Sequence, residues 1–171
     1  VANLSRHRAL TIARTESIRA YREAGHQTAL QNSQVLIGWI WQSTRDRRTC
    51  AACLAMHGTF FELSERLSSH PNCRCVPIYI SRAWAQSPQR MARLTETGED
   101  WFSTQSLEVR RQVLGIAGAE AYDAGRVKLQ SFVGHGRHPR WGEVRFQRSL
   151  KDALSQPLSA GIGKPVDLKQ W

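Results

Sequence analysis

The 171-residue sequence predicts an α+β fold: an N-terminal helix on a small antiparallel sheet with a cysteine-clamped hairpin, followed by a helical C-terminal section. Three observations carry this reading. Apolar residues near the N-terminus recur at helical spacing. Between residues 35 and 80 the apolar period falls to two. All four cysteines lie within 26 residues, so two separate stretches must meet there if the sulfurs act together.

Residues 6–24 read as a helix, with Ala9, Ile12, Ala13, Ala20 and Ala24 near helical spacing, and Gly25 is the expected stop. Residues 26–32 read as a second short helix. Val35, Ile37, Trp39 and Trp41 then alternate with Leu36, Gly38, Ile40 and Gln42, a strand that is apolar on both faces and so central or covered. A polar turn is expected over 43–48. Residues 50–57 read as a short helix or knuckle that Gly58 ends. Strands are expected over 59–63 and 76–80, joined by a loop over 64–72. Beyond that, 81–100 is polar and weakly patterned, and Trp101 and Phe102 read as a hydrophobic anchor. Residues 107–125 read as one amphipathic helix, 129–133 as a short apolar turn, and 134–142, rich in Gly, His and Arg, as an exposed loop. One more element is expected over 143–154. The chain thus divides into a core over 1–80, a mainly helical section over 81–154 and a tail over 155–171, in which Trp171 is a candidate for docking.

Composition narrows the function. Hydrophobic residues make up 41% and charged residues 22%, enough for a core and too apolar for wholesale disorder. No apolar run approaches the roughly 18–20 residues of a membrane span, and no secretory leader pattern is visible. The net charge is +10, from 20 Arg and only 4 Lys. The guanidinium is a planar fork suited to phosphate or carboxylate, so nucleic acid or an acidic protein surface is the expected kind of partner. Arg137, Arg140, Arg145 and Arg148 concentrate that charge near the C-terminal end and are the candidate nucleic-acid contacts. With no helix-turn-helix or RNA-recognition signature, such contact is expected to be phosphate-directed and non-specific.

The cysteines form C-x2-C at Cys50 and Cys53 and C-x-C at Cys73 and Cys75, with His70 three residues before the second pair. A tight C-x2-C turn can place two sulfurs on one side, and in an extended C-x-C the two side chains point the same way. Two such pairs suit a tetrahedral Zn2+ with ligands at about 2.3 Å. The favoured set is Cys50, Cys53, Cys73 and Cys75, with His70 as the substitute; His57 is a further donor on the first helix. A closed four-ligand site is structural, because no position remains for water. The competing readings are a disulfide of the Cys53–Cys73 type or four reduced, buried thiols.

These strings also resemble a known family. Ala13-Arg14-Thr15-Glu16, then Thr44-Arg45-Asp46-Arg47-Arg48-Thr49-Cys50-x2-Cys53, then His70-Pro71-Asn72-Cys73-Arg74-Cys75 look like the phage head morphogenesis domain of Mu F-like minor head proteins, over roughly residues 6–133. The resemblance implies a minor capsid protein of the virion, acting near the portal with other capsid proteins, present in the bacterial host cytoplasm during assembly and near packaged double-stranded DNA. It implies no established catalytic activity. The alternative is a metal-dependent nuclease or toxin-like effector delivered with the virion, for which Glu16, Asp46 and His70 would supply the acid/base set.

Overall fold

The computed structural model describes residues 2–157, with side chains from Ser5 onward. Trp171 and most of the expected tail lie outside the described residues. Helix α1 spans Ala2–Gln31. Its buried stripe is Thr15, Arg22, His26 and Ala29, spaced seven, four and three, which is one face of a helix. Gly25 therefore does not stop the helix. The stripe continues past it, and the Tyr79 ring packs against its bare backbone.

Strand β1 (Leu36–Gln42) lies between β2 (Phe60–Glu62) and β3 (Val76–Ser81), antiparallel to both, with Trp39 opposite Phe61 and Tyr79. It is the central strand that its two apolar faces predict. Trp39 and Trp41 point to one side with Phe61. Ile37 and Ile40 both join Ile80, Ala85 and Met91 on the other, because a bulge between Leu36 and Gly38 resets the alternation. Helix α2 (Ala51–Met56) is buried along its whole length, and the Cys50 sulfur caps it by accepting the Cys53 N–H.

The second half departs from expectation in four places. The polar stretch after β3 holds three short helices, α3 (Arg82–Ala85), α4 (Pro88–Thr95) and α5 (Gly98–Ser103). Their signals are local: Ser81 accepts the Trp84 N–H, Pro88 opens α4, and Thr97 with Asp100 forms a capping box. The expected single helix is two, α6 (Leu107–Leu114) and α7 (Ile116–Asp123), broken at Gly115 with φ 75° and ψ 170°, a conformation open to glycine. The expected exposed loop is most of a hairpin, β4 (Val133–His138) and β5 (Gly142–Gln147). Its glycines serve packing rather than flexibility. A Cβ on Gly134 would stand 2.7 Å from the Phe146 ring, which lies across the strand. Residues 143–154 hold two elements, β5 and a final helix α8 (Leu150–Leu154).

One buried cluster runs from Trp39 and Trp41 through α2 and Phe102 to Leu129, Phe132 and Ala153. The later elements thus roof α2: α5, the 3-10 turn Leu129–Phe132 and both hairpin strands pack on it. Phe102 is the anchor that was expected. Trp84, by contrast, is 41% exposed with the Arg90 guanidinium over its ring.

Candidate metal centre

The cysteine cluster is assembled by three elements. Cys50 and Cys53 sit on the first turn of α2, one as its cap. The loop after β2 brings His70. The turn before β3, where Asn72 takes φ 61°, brings Cys73 and Cys75. Helix α1 fixes that turn from outside, since Thr15 Oγ1 accepts the Asn72 N–H at 2.9 Å.

The donors converge. His70 Nε2 is 3.3 Å from the sulfurs of both Cys50 and Cys53, and Cys53 Sγ is 3.6 Å from Cys73 Sγ. Two groups, Cys50–Cys53–His70 and Cys53–Cys73–Cys75, each have donor atoms within 4.8 Å of one another and share Cys53. All five donors line one cavity of about 30 Å³. Ligands at tetrahedral angles around a zinc-sized ion stand about 3.8 Å apart for two sulfurs and about 3.5 Å for sulfur and nitrogen. The observed spacings are those of a ligand shell. The Cys53 and Cys73 sulfurs, the pair a disulfide would use, are in contact and unbonded, and all four cysteines are free.

The electrostatics suit a cation in part. Cys50 and Cys73 are held down, while hydrogen bonding to the neighbouring thiols and burial push Cys53 up. Against its contact with Cys53, contact with Cys73 together with burial pushes Cys75 up. Contact with the Cys53 thiol, together with His70, brings Cys50 down to about 5 against the opposing effect of burial. Hydrogen bonding to Cys53 and Cys75, aided by the charge of Arg22, holds Cys73 far below the ordinary thiol range. Burial opposes protonation of His70, yet its hydrogen bond to Cys50 and the negative charge of Cys50 and Cys73 lift it to about 9. His70 Nδ1 lies 2.8 Å from the Pro71 carbonyl oxygen, which accepts its proton, so Nε2 faces the sulfurs and would offer its lone pair once a metal ion displaces the Nε2 proton. This is the support a metal-bound imidazole commonly has. The buried indole N–H of Trp41 has no hydrogen-bond partner; it lies beside Cys75, where a thiolate would accept it. The Cys/His groups could therefore hold a metal ion.

His57 is not among the donors. Its Nδ1 accepts the Ser43 N–H at 3.0 Å, at the opposite end of α2 from the Cys50 cap. Glu16, Asp46 and His70 have three separate sets of partners. Glu16 Oε1 accepts from Arg140 Nε at 3.0 Å and from Trp141 Nε1 at 2.9 Å. Asp46 accepts both arms of Arg74 at 2.8 and 2.7 Å, and the Thr49 hydroxyl. That fork, opposed by partial burial and helped by Thr49, holds the Asp46 carboxyl well below the usual range.

Of the candidate nucleic-acid contacts, Arg137 is exposed opposite Glu143 in the hairpin, and Arg140 is exposed while paired to Glu16. Arg148 is half-buried beside Gly134, and Arg145 lies over the Trp41 and Phe61 rings and donates to Ser68. Sequence reasoning missed Thr15 and Arg22 as residues of α1 that hold the cysteine turn, and their seven-residue spacing on one helix face was the available signal.

Among the described residues no helix is long and apolar enough to cross a membrane. Residues 1–78, a stretch that contains the whole cysteine cluster, match the family model of Phage Mu protein F like protein. No curated protein and no solved structure matches the chain.

Proposed function

We propose, from the match of residues 1–78 to the Mu F-like family model, that the chain is a head morphogenesis protein of a tailed phage or prophage, a minor capsid component of the virion. It acts with portal and other capsid proteins, and its arginine-rich surface suits non-specific contact with double-stranded DNA. The single observation that carries this reading is the family match over the residues that build the cysteine cluster.

The cluster itself we read as a structural Zn2+ staple. His70 and three of the four thiolates close a tetrahedral shell, and zinc suits a thiolate-rich, four-coordinate set. A closed shell leaves no position for water, so the centre serves architecture. The nuclease reading draws no support from Glu16, Asp46 and His70, whose polar atoms are engaged by separate partners.

The test is direct. Mass spectrometry of purified particles should find the chain in the head fraction, with about one zinc per copy in the isolated protein. A chain absent from heads, or cleavage of plasmid DNA that Glu16→Ala or His70→Ala abolishes, would overturn the assembly reading.

A further inference from the structure

Arg22 is a buried cation with no carboxylate. It is 6% exposed, and among the described residues no acidic side chain forms an ion pair with it. Its guanidinium turns toward the cysteine turn. Nε donates to the Cys75 carbonyl at 2.9 Å, one terminal nitrogen to Ser69 Oγ at 2.8 Å, and the other to the Cys73 carbonyl at 3.1 Å and to that of Cys75. Every arm of the fork is spent on the segment that carries two candidate ligands. Backbone carbonyls are dipoles, however, and do not cancel a full charge removed from water. An uncompensated buried cation is costly and needs a counter-charge close by.

The metal centre supplies one. A divalent ion held by three thiolates and one neutral imidazole carries a net charge of −1, and one held by four thiolates carries −2. We propose that Arg22 is the counter-cation of a Cys3His metal centre, a positioning residue that neutralises the loaded site and tethers α1 to it. This rests on the metal reading above and deepens it in two ways. It explains why a buried arginine stands on the stripe of α1 that packs against the cysteine turn. It also favours His70 as a resident ligand, since one guanidinium balances a charge of −1 and leaves a four-thiolate site half compensated. The two other cations near the centre are already committed or further out. Arg74 is forked to Asp46, and Arg48 is exposed and pairs with the same carboxylate.

The experiment uses Co2+ in place of Zn2+ on the full chain, because its visible bands report tetrahedral geometry and thiolate number. The affinity is read by competition with a chelator. Arg22→Gln should weaken binding about 10–100-fold, the range for loss of a partner outside the ligand shell. Arg22→Lys, which keeps the charge and loses the fork, should recover most of that loss. Ser69→Ala, which removes one arm's partner and leaves the charge in place, should bind as the parent does. Far-UV circular dichroism checks each fold, and Arg22→Met, with its intact aliphatic stem, replaces Arg22→Gln if the latter does not fold. Equal affinity in Arg22→Gln and the parent, or Arg22→Lys as weak as Arg22→Gln, overturns the counter-charge and leaves the metal centre standing. Ser69→Ala as damaging as Arg22→Gln likewise reduces Arg22 to packing. A parent chain with no tetrahedral Co2+ signature overturns the metal reading, and this one with it.

Discussion

Cys53 is the sulfur common to both donor groups, which makes it the residue whose loss cannot be covered by a spare ligand. Cys53→Ser should abolish high-affinity zinc binding. Cys50→Ser and Cys75→Ser, which leave three thiols and His70, should differ, one of them keeping most of the affinity. Titration with a zinc-competing dye distinguishes these outcomes, and tight binding by Cys53→Ser would refute the shared-ligand geometry. His57 makes a second residue-scale prediction, on pH. It is 2% exposed, and burial, aided by the nearby Arg45 charge, lowers it to about 4. Its neutral form accepts the Ser43 N–H, so folding favours the unprotonated ring. The contribution is complete above the ordinary pKa near 6.5 and is lost as pH falls from there toward 4. The full loss is about 3 kcal/mol. Urea midpoints between pH 7 and 4.5 should fall less for His57→Asn, which keeps an acceptor near the Nδ1 position and takes up no proton.

At the scale of elements, glycine is where composition misled. Gly25 has a stop residue's identity and lies inside α1, whereas Gly115 was read as part of a helix and breaks one. Apolar spacing alone does not distinguish a continuous 107–125 helix from two helices that share a face across a sharp turn. The sign of one substitution does. Gly115→Ala in a continuous helix would stabilise by about 1 kcal/mol. At φ 75° and ψ 170° it should destabilise by about 1–3 kcal/mol, a fall of several degrees in Tm. The β4–β5 hairpin makes the same point in reverse. Gly134 and Gly136 resemble loop residues until Phe146 is seen lying across them, and Trp141 at the hairpin end holds Glu16 of α1, far away in sequence.

At the scale of the molecule, the buried cluster joins Trp39 to Ala153, while the loop over 64–72 has little buried apolar surface of its own and is held by polar contacts, from Trp39 to Glu65, Arg145 to Ser68 and Arg22 to Ser69, and by His70 among the cysteines. Removing the metal should therefore loosen one segment before the whole. A chelator should expose new protease sites within 50–75 and leave helices α5 to α7 protected. Digestion at the same rate with and without chelator would count against the staple. Parent protein with metal should unfold in one transition, because the roof over α2 and the sheet beneath it share that cluster.

Much was legible without coordinates. The α+β class, the central strand, the short helix at Cys50 and the clustering of sulfur ligands all follow from residue spacing within some thirty positions, because local backbone period and ligand spacing are properties of neighbouring residues. The tertiary structure decided what depends on distant pairs: that His70 reaches Cys50 and Cys53, that His57 turns away, that Arg22 points its charge at the cysteine turn, and that a glycine-rich stretch is a strand under Phe146. Each of those outcomes is set by burial and charge brought together only when the chain closes on itself, and such contacts leave no period in the sequence to read.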